Sequence, residues 1–126
     1  MKVLQVVSSA YRATFEEQDD TVLWLTQAMK NAGGDLDVLL TGNTVNYAVV
    51  GQDASGLKFG QWKQTQPPRI EEDLSRMISK GIAVIAVADD LIDRGLGDSA
   101  LIEGVRRVHR GDVARVMSNY DQVWRW

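Results

Sequence analysis

The sequence predicts an α/β fold, a single-domain three-layer sandwich around a mostly parallel sheet of roughly four or five strands. Three observations lead there. Unbroken apolar runs, such as residues 82–88, suit strands covered on both faces. Those runs alternate with segments whose apolar residues recur at helical spacing, which is the pattern of a doubly wound sheet. The length, 126 residues, is enough to bury one real core, so a single domain is expected over residues 1–126.

Each element has its own signal. Lys2–Val7 reads as the first strand and residues 8–13 as a loop, after which Thr14 and Glu17 have the spacing of a capping box opening a helix. Val22, Leu25, Met29 and Ala32 mark one face of that helix, and Gly33-Gly34 ends it. Asp35–Leu40 is a second strand, and residues 41–50 form a short helix closed by Gly51. Residues 51–69 differ, mixing Gly, Gln, Lys and Ser with Phe59 and Trp62 before Pro67-Pro68. So long an irregular connection is uncommon and points to function, mobility or a partner. A helix resumes at Ile70 with Leu74, Met77 and Ile78 on one face, and stops at Lys80-Gly81. The strand at residues 82–88 follows. Residues 99–110 are ambiguous, residues 112–119 are helical through Val113, Val116 and Met117, and residues 121–126 form the last strand. Crossovers between the parallel strands are expected to be right-handed.

Composition narrows the function classes. Hydrophobic residues at 44% and charged residues at 25% are ordinary for a soluble globular protein. A net charge of −3 argues against general binding to a nucleic-acid backbone, which needs Lys and Arg in excess. A local cluster of Arg106, Arg107, His109 and Arg110 leaves room for an anion or nucleotide there. The amino terminus lacks the apolar core and cleavage site of a signal peptide, and no apolar run reaches the roughly 20 residues that span a bilayer. A soluble cytoplasmic protein without membrane contact is expected. With no cysteine in the chain, disulfides, thiolate metal sites and thiol chemistry are excluded for this chain alone.

The strand at residues 82–88 delivers Asp89, Asp90 and Arg94-Gly95 to the carboxyl end of a central strand, where open α/β sheets bind their ligands. The plainer reading is a turn whose aspartate caps the next helix. Adjacent carboxylates on a helix point about 100° apart, which weakens paired acid-base work. Asp90 and Arg94 have the spacing of a local ion pair. The loop after the first strand, SSAYRATFEEQDD, has neither phosphate-loop nor dinucleotide glycines, and Glu16, Glu17, Asp19 and Asp20 would repel a phosphate. His109 has no second His or Cys for a metal, so no metal or cofactor site is expected. Ser8 and Ser9 lack a nucleophile-elbow sequence and read as turn residues. Phe59 and Trp62, with Trp124 and Trp126 on one face of the last strand, are a surplus of aromatics suited to an oligomer or partner surface. Trp24 is expected in the core.

These pieces recur together elsewhere. The first strand and its loop, GNTVNYAVVGQ (residues 42–52), ADDLIDRGL (88–96), LIEGV (101–105) and the closing SNYDQVWRW resemble the DsrE/DsrF/DsrH-like family, which includes the sulfur-relay subunits TusB, TusC and TusD. The resemblance covers most of the chain and implies a DsrE-like fold. It also implies a trimer or hexamer, either a homo-oligomer or a hetero-oligomer with a cysteine-bearing paralogue. In the catalytic members a cysteine at the position of Val87 accepts sulfur as a persulfide, and some members have a second cysteine at the position of Asp90. Both are replaced here. The turn is similar to the non-catalytic DsrH and TusB type, the amino-terminal half to DsrE. The resemblance therefore implies a non-catalytic subunit linked to sulfur relay, without a cofactor. Around Val87, a vestigial pocket is expected from Ala88, Asp89, Asp90 and Arg94, with Tyr11, Gln52 and Trp62 as walls from neighbouring loops. The competing expectation is a small-molecule enzyme using Asp89, Asp90 and Arg94 in place of the thiol.

Overall fold

The computed structural model describes residues 1–10, 20–53 and 55–126. In β1 (Lys2–Val7) every residue after Lys2 is buried, and β2 (Asp35–Leu40) is the same after Asp35, because both faces of these strands are covered. Two short strands, β3 (Lys58–Phe59) and β4 (Trp62–Lys63), pair antiparallel by themselves. β5 (Val84–Val87), β6 (Arg106–Val108) and β7 (Gln122–Arg125) complete a five-stranded sheet in the order β6-β5-β2-β1-β7. Every pairing in that sheet is parallel. The chain winds outward from β1 to β6 and then returns to the other side of β1, as a doubly wound fold requires.

Two apolar layers hold the sheet. On one face Val7, Val38, Leu40 and Val84 pack with Leu23 of α1 (Thr21–Asn31) and with Leu74 and Met77 of α2 (Ile70–Ser79). On the other, Leu4, Val6, Leu39, Ile85 and Val87 pack with residues of α4 (Val113–Met117), which follows α3 (Ala88–Asp93) in the chain. The result is the expected three-layer α/β sandwich.

Several elements depart from the expectation in detail. Asp20 is the residue that caps α1, its carboxylate accepting from the backbone N–H groups of Val22 and Leu23; the proposed Thr14 box lies outside the described residues. The buried face of α1 runs through Leu23 and Thr26, not Leu25 and Met29. Trp24, one residue and about 100° on from Leu23, is consequently turned outward and 56% exposed, which corrects its placement in the core. Residues 41–50 hold a 3₁₀ segment, Gly42–Ala48, in place of an α-helix. The irregular connection contains the β3-β4 hairpin. β6 emerges from the ambiguous stretch, and Leu101 adds an isolated antiparallel bridge to Val49. Among the described residues no helix is long and apolar enough to cross a membrane.

Candidate functional site

At the carboxyl end of β5 the chain enters α3 with no intervening turn: Val87 is the cap residue, and Ala88 already belongs to the helix. Val87 has no side-chain acceptor, so the first-turn carboxylates of Asp89 and Asp90 supply the negative charge that the helix start favours. The helix then stops on a Schellman pattern. Gly95 N–H donates to Ile92 and Leu96 N–H to Leu91, with Gly95 at φ 72°, a value other residues reach only at a cost. The Arg-Gly-Leu sequence is thus a helix stop in physical terms, and it leaves Arg94 at the cap facing the 3₁₀ segment.

The charged groups here engage one another. One Asp90 oxygen accepts from Gly42 N–H at 2.7 Å, the other from Arg110 Nη2 at 2.6 Å. The same Arg110 nitrogen reaches Asp93 at 2.9 Å, and Arg110 backbone N–H donates to Asp89 at 2.9 Å. His109 Nδ1 lies 3.8 Å from Asp89. Arg94 turns away from Asp90: its Nε donates to the Gly42 carbonyl at 3.0 Å and its Nη2 to Asn43 Oδ1. Gly42, at φ 56°, is therefore gripped at both its N–H and its C=O, tying the 3₁₀ segment to α3.

The electrostatics follow from these contacts. The Arg110 backbone N–H holds the Asp89 carboxyl below its ordinary range. Burial pushes Asp90 up, but Gly42 N–H and Arg110 outweigh it, and the net direction is down. Arg110 is pushed up by Asp90 and Asp93. Both aspartates are ionised near neutral pH and already hydrogen-bonded, an arrangement that fastens loops together and leaves little proton-transfer capacity.

The predicted site residues do not share one pocket. Val87 is 2% exposed and packs in the apolar layer with Ile85 and Leu39, so a sulfur at this position would be enclosed by hydrocarbon. Ala88 is buried beside it. Tyr11 lies outside the described residues. Gln52 is exposed and donates to the carbonyls of Asn46 and Val49. Trp62 stands out on the β3-β4 hairpin. A cleft of about 880 Å³ opens between the start of α2 and the preceding loop, with walls from Tyr47, Leu57, Pro67, Pro68 and Ile70. Of the described residues predicted from sequence, only Gln52 lines it.

Sequence reasoning missed the partners that organise the strand end: Gly42, Asn43, Asp93 and Arg110. The basic run at residues 106–110 was the available signal for Arg110, and two of its arginines turn to different partners. Arg107 donates to the carbonyls of Gly97 and Ser99, while Arg110 turns to the aspartates. Among the described residues no cluster of His, Cys, Asp and Glu is placed to hold a metal ion.

No family model matches the chain, and no curated protein matches it. Among solved structures it is similar to the YchN protein from E. coli, with a TM-score of 0.74 over 99% of this chain and 98% of that one, at 19% sequence identity. At that identity the likeness establishes the fold, which is DsrE-like.

Proposed function

We propose that this chain is a non-catalytic DsrE-like subunit, a structural or binding component of an oligomer linked to sulfur relay. The observation that carries the reading is a DsrE-like fold built from a chain with no cysteine at all. The family's relay chemistry requires a thiolate to form and pass on a persulfide, and none can be supplied from within this chain. Supporting it, the position matched to the family cysteine is a buried valine, and the charged residues beyond it are held by internal bonds. The turn from Asp89 to Arg94 is then a contact surface.

The test is a pull-down from the native cell followed by native mass spectrometry. The expected result is a trimer or hexamer, or co-purification with a cysteine-bearing paralogue. A protein that stays monomeric at micromolar concentration and retains no paralogue overturns the proposal. The small-molecule enzyme built on Asp89, Asp90 and Arg94 is the weaker reading, since substrate would have to displace those internal partners. A metabolite stabilising the wild type but not Arg94→Ala in a thermal-shift screen would revive it.

A further inference from the structure

The β3-β4 hairpin gathers large exposed apolar side chains on a short arm. Gly60, at φ 62°, opens the tight turn, Phe59 pairs opposite Trp62, and Lys58 pairs opposite Lys63. Leu57, Phe59 and Trp62 are 56%, 63% and 76% exposed. Directly opposed residues project on the same face of a hairpin, so one face is aromatic and the other carries two ammonium groups. Residues 56–66 contain no acid, making the arm locally basic in a chain of net charge −3.

At the base of the arm lies the 880 Å³ cleft, within the roughly 300–1,000 Å³ range of clefts that take up a bound group. Its walls are proline, tyrosine and aliphatic, surfaces on which an indole or phenyl ring packs well. Its rim holds Asp53, Glu71 and Glu72, while its two arginines each have an acidic neighbour, Arg69 with Glu72 at 3.9 Å and Arg76 with Asp73 at 3.2 Å.

We propose that the arm seats Phe59 and Trp62 in this same cleft of a second copy of the chain, with Lys58 and Lys63 against the partner's acidic rim. The inference rests on the oligomeric reading above and names a two-fold contact within it, which a hexamer contains and a trimer does not. Three features select a second copy as the occupant. The charges of arm and rim are complementary. Leu57 and Gln64 flank the hairpin and also line the cleft, so arm and receptor adjoin, and one two-fold axis can place each arm in the other's cleft. Two aromatics per arm bring roughly 300–500 Å² of apolar surface. Counting what Phe59 and Trp62 still expose on both arms together with both receiving walls, the contact reaches about 900–1,100 Å², close to the roughly 1,000 Å² that a specific interface needs.

The absence of cysteine makes the test clean. Lys63→Cys and Glu71→Cys are purified separately, mixed and oxidised, so that a disulfide between the two variants forms only between copies. A covalent heterodimer is expected, in excess over either variant's self-linked product. In sedimentation, Phe59→Ala with Trp62→Ala should raise the dissociation constant at least about 100-fold, as expected for two buried anchors. Lys58→Glu with Lys63→Glu should weaken assembly, and mixing with Glu71→Lys, Glu72→Lys protein should restore it. Circular dichroism checks the fold, which these exposed substitutions should leave intact. An oligomer unaffected by the aromatic variant, with no cross-link, overturns the arm contact and leaves the oligomeric reading standing. A wild-type monomer at micromolar concentration overturns both.

Discussion

Asp90 bonds the backbone of a segment 48 residues away and the guanidinium of an arginine 20 residues on, so a single carboxylate joins three parts of the strand end. Asp90→Asn keeps the shape, but its amide NH2 faces one of the two donors, so one bond is lost and the other loses its charge; a cost of about 1–2 kcal/mol is expected in urea unfolding at pH 7. Because its folded pKa is lowered, its stabilisation is complete above the unfolded value of about 3.9 and is lost as pH falls through the folded value. Asp89 acts in the same direction. The urea midpoint should therefore drop on acidification below about pH 4, and drop less in Asp90→Asn; equal pH profiles would show that Asp90 does not couple to folding. Tyr120 has the opposite sign. Burial and its hydrogen bond to Asp37 raise its pKa, so its contribution is complete below the unfolded value of about 10 and is lost as pH rises through the folded one. Tyr120→Phe should flatten the alkaline limb. Val87 allows a direct check of the enclosed position: Val87→Cys should be silent to a thiol reagent in the native state and label fully in denaturant, and fast native labelling would refute the burial.

At the scale of elements, what could be read in advance depended on how strong the period was. β1, β2 and β7 and both long helices carry clear patterns, and the structure contains them at or near the expected positions. β6 was obscured because Arg106-Arg107 breaks the apolar alternation on an edge strand whose flank is open. β3 and β4, two residues each, are too short for any period to register, although Gly60 between Phe59 and Trp62 marked the turn. At the start of α1 the acidic run ends on Asp20, the residue that caps the helix, and its second oxygen also accepts from the buried Tyr47 hydroxyl at 2.7 Å. Asp20→Ala should thus cost about 1–3 kcal/mol by urea unfolding, combining the lost cap with the lost hydrogen bond from Tyr47. Asp20→Asn, itself a good cap, should recover most of the loss, and equal destabilisation by both would assign the effect to charge instead of capping.

For the whole molecule, the place of the site was more legible than its wiring. An apolar run followed by charges locates the carboxyl end of a central strand, because a parallel sheet must bury that run. The bonds from Asp90 to Gly42 and from Arg94 to Asn43 join residues that no sequence spacing associates, and the cleft exists only once the loop before α2 lies against Tyr47. Assembly is a further property of the folded surface, and mass action gives it a thermodynamic signature. If two copies unfold together, a tenfold rise in protein concentration adds about 1.4 kcal/mol per dimer of stability. Spread over an unfolding entropy of roughly 2.1 cal/mol/K per residue in both copies, this raises Tm by about 2–3 °C. Calorimetry at 10-fold spaced concentrations should show that rise in the wild type and a smaller one in Phe59→Ala with Trp62→Ala. A Tm independent of concentration in the wild type would mean that each copy folds and melts alone, and the exposed aromatic arm would then contribute nothing to stability through self-association.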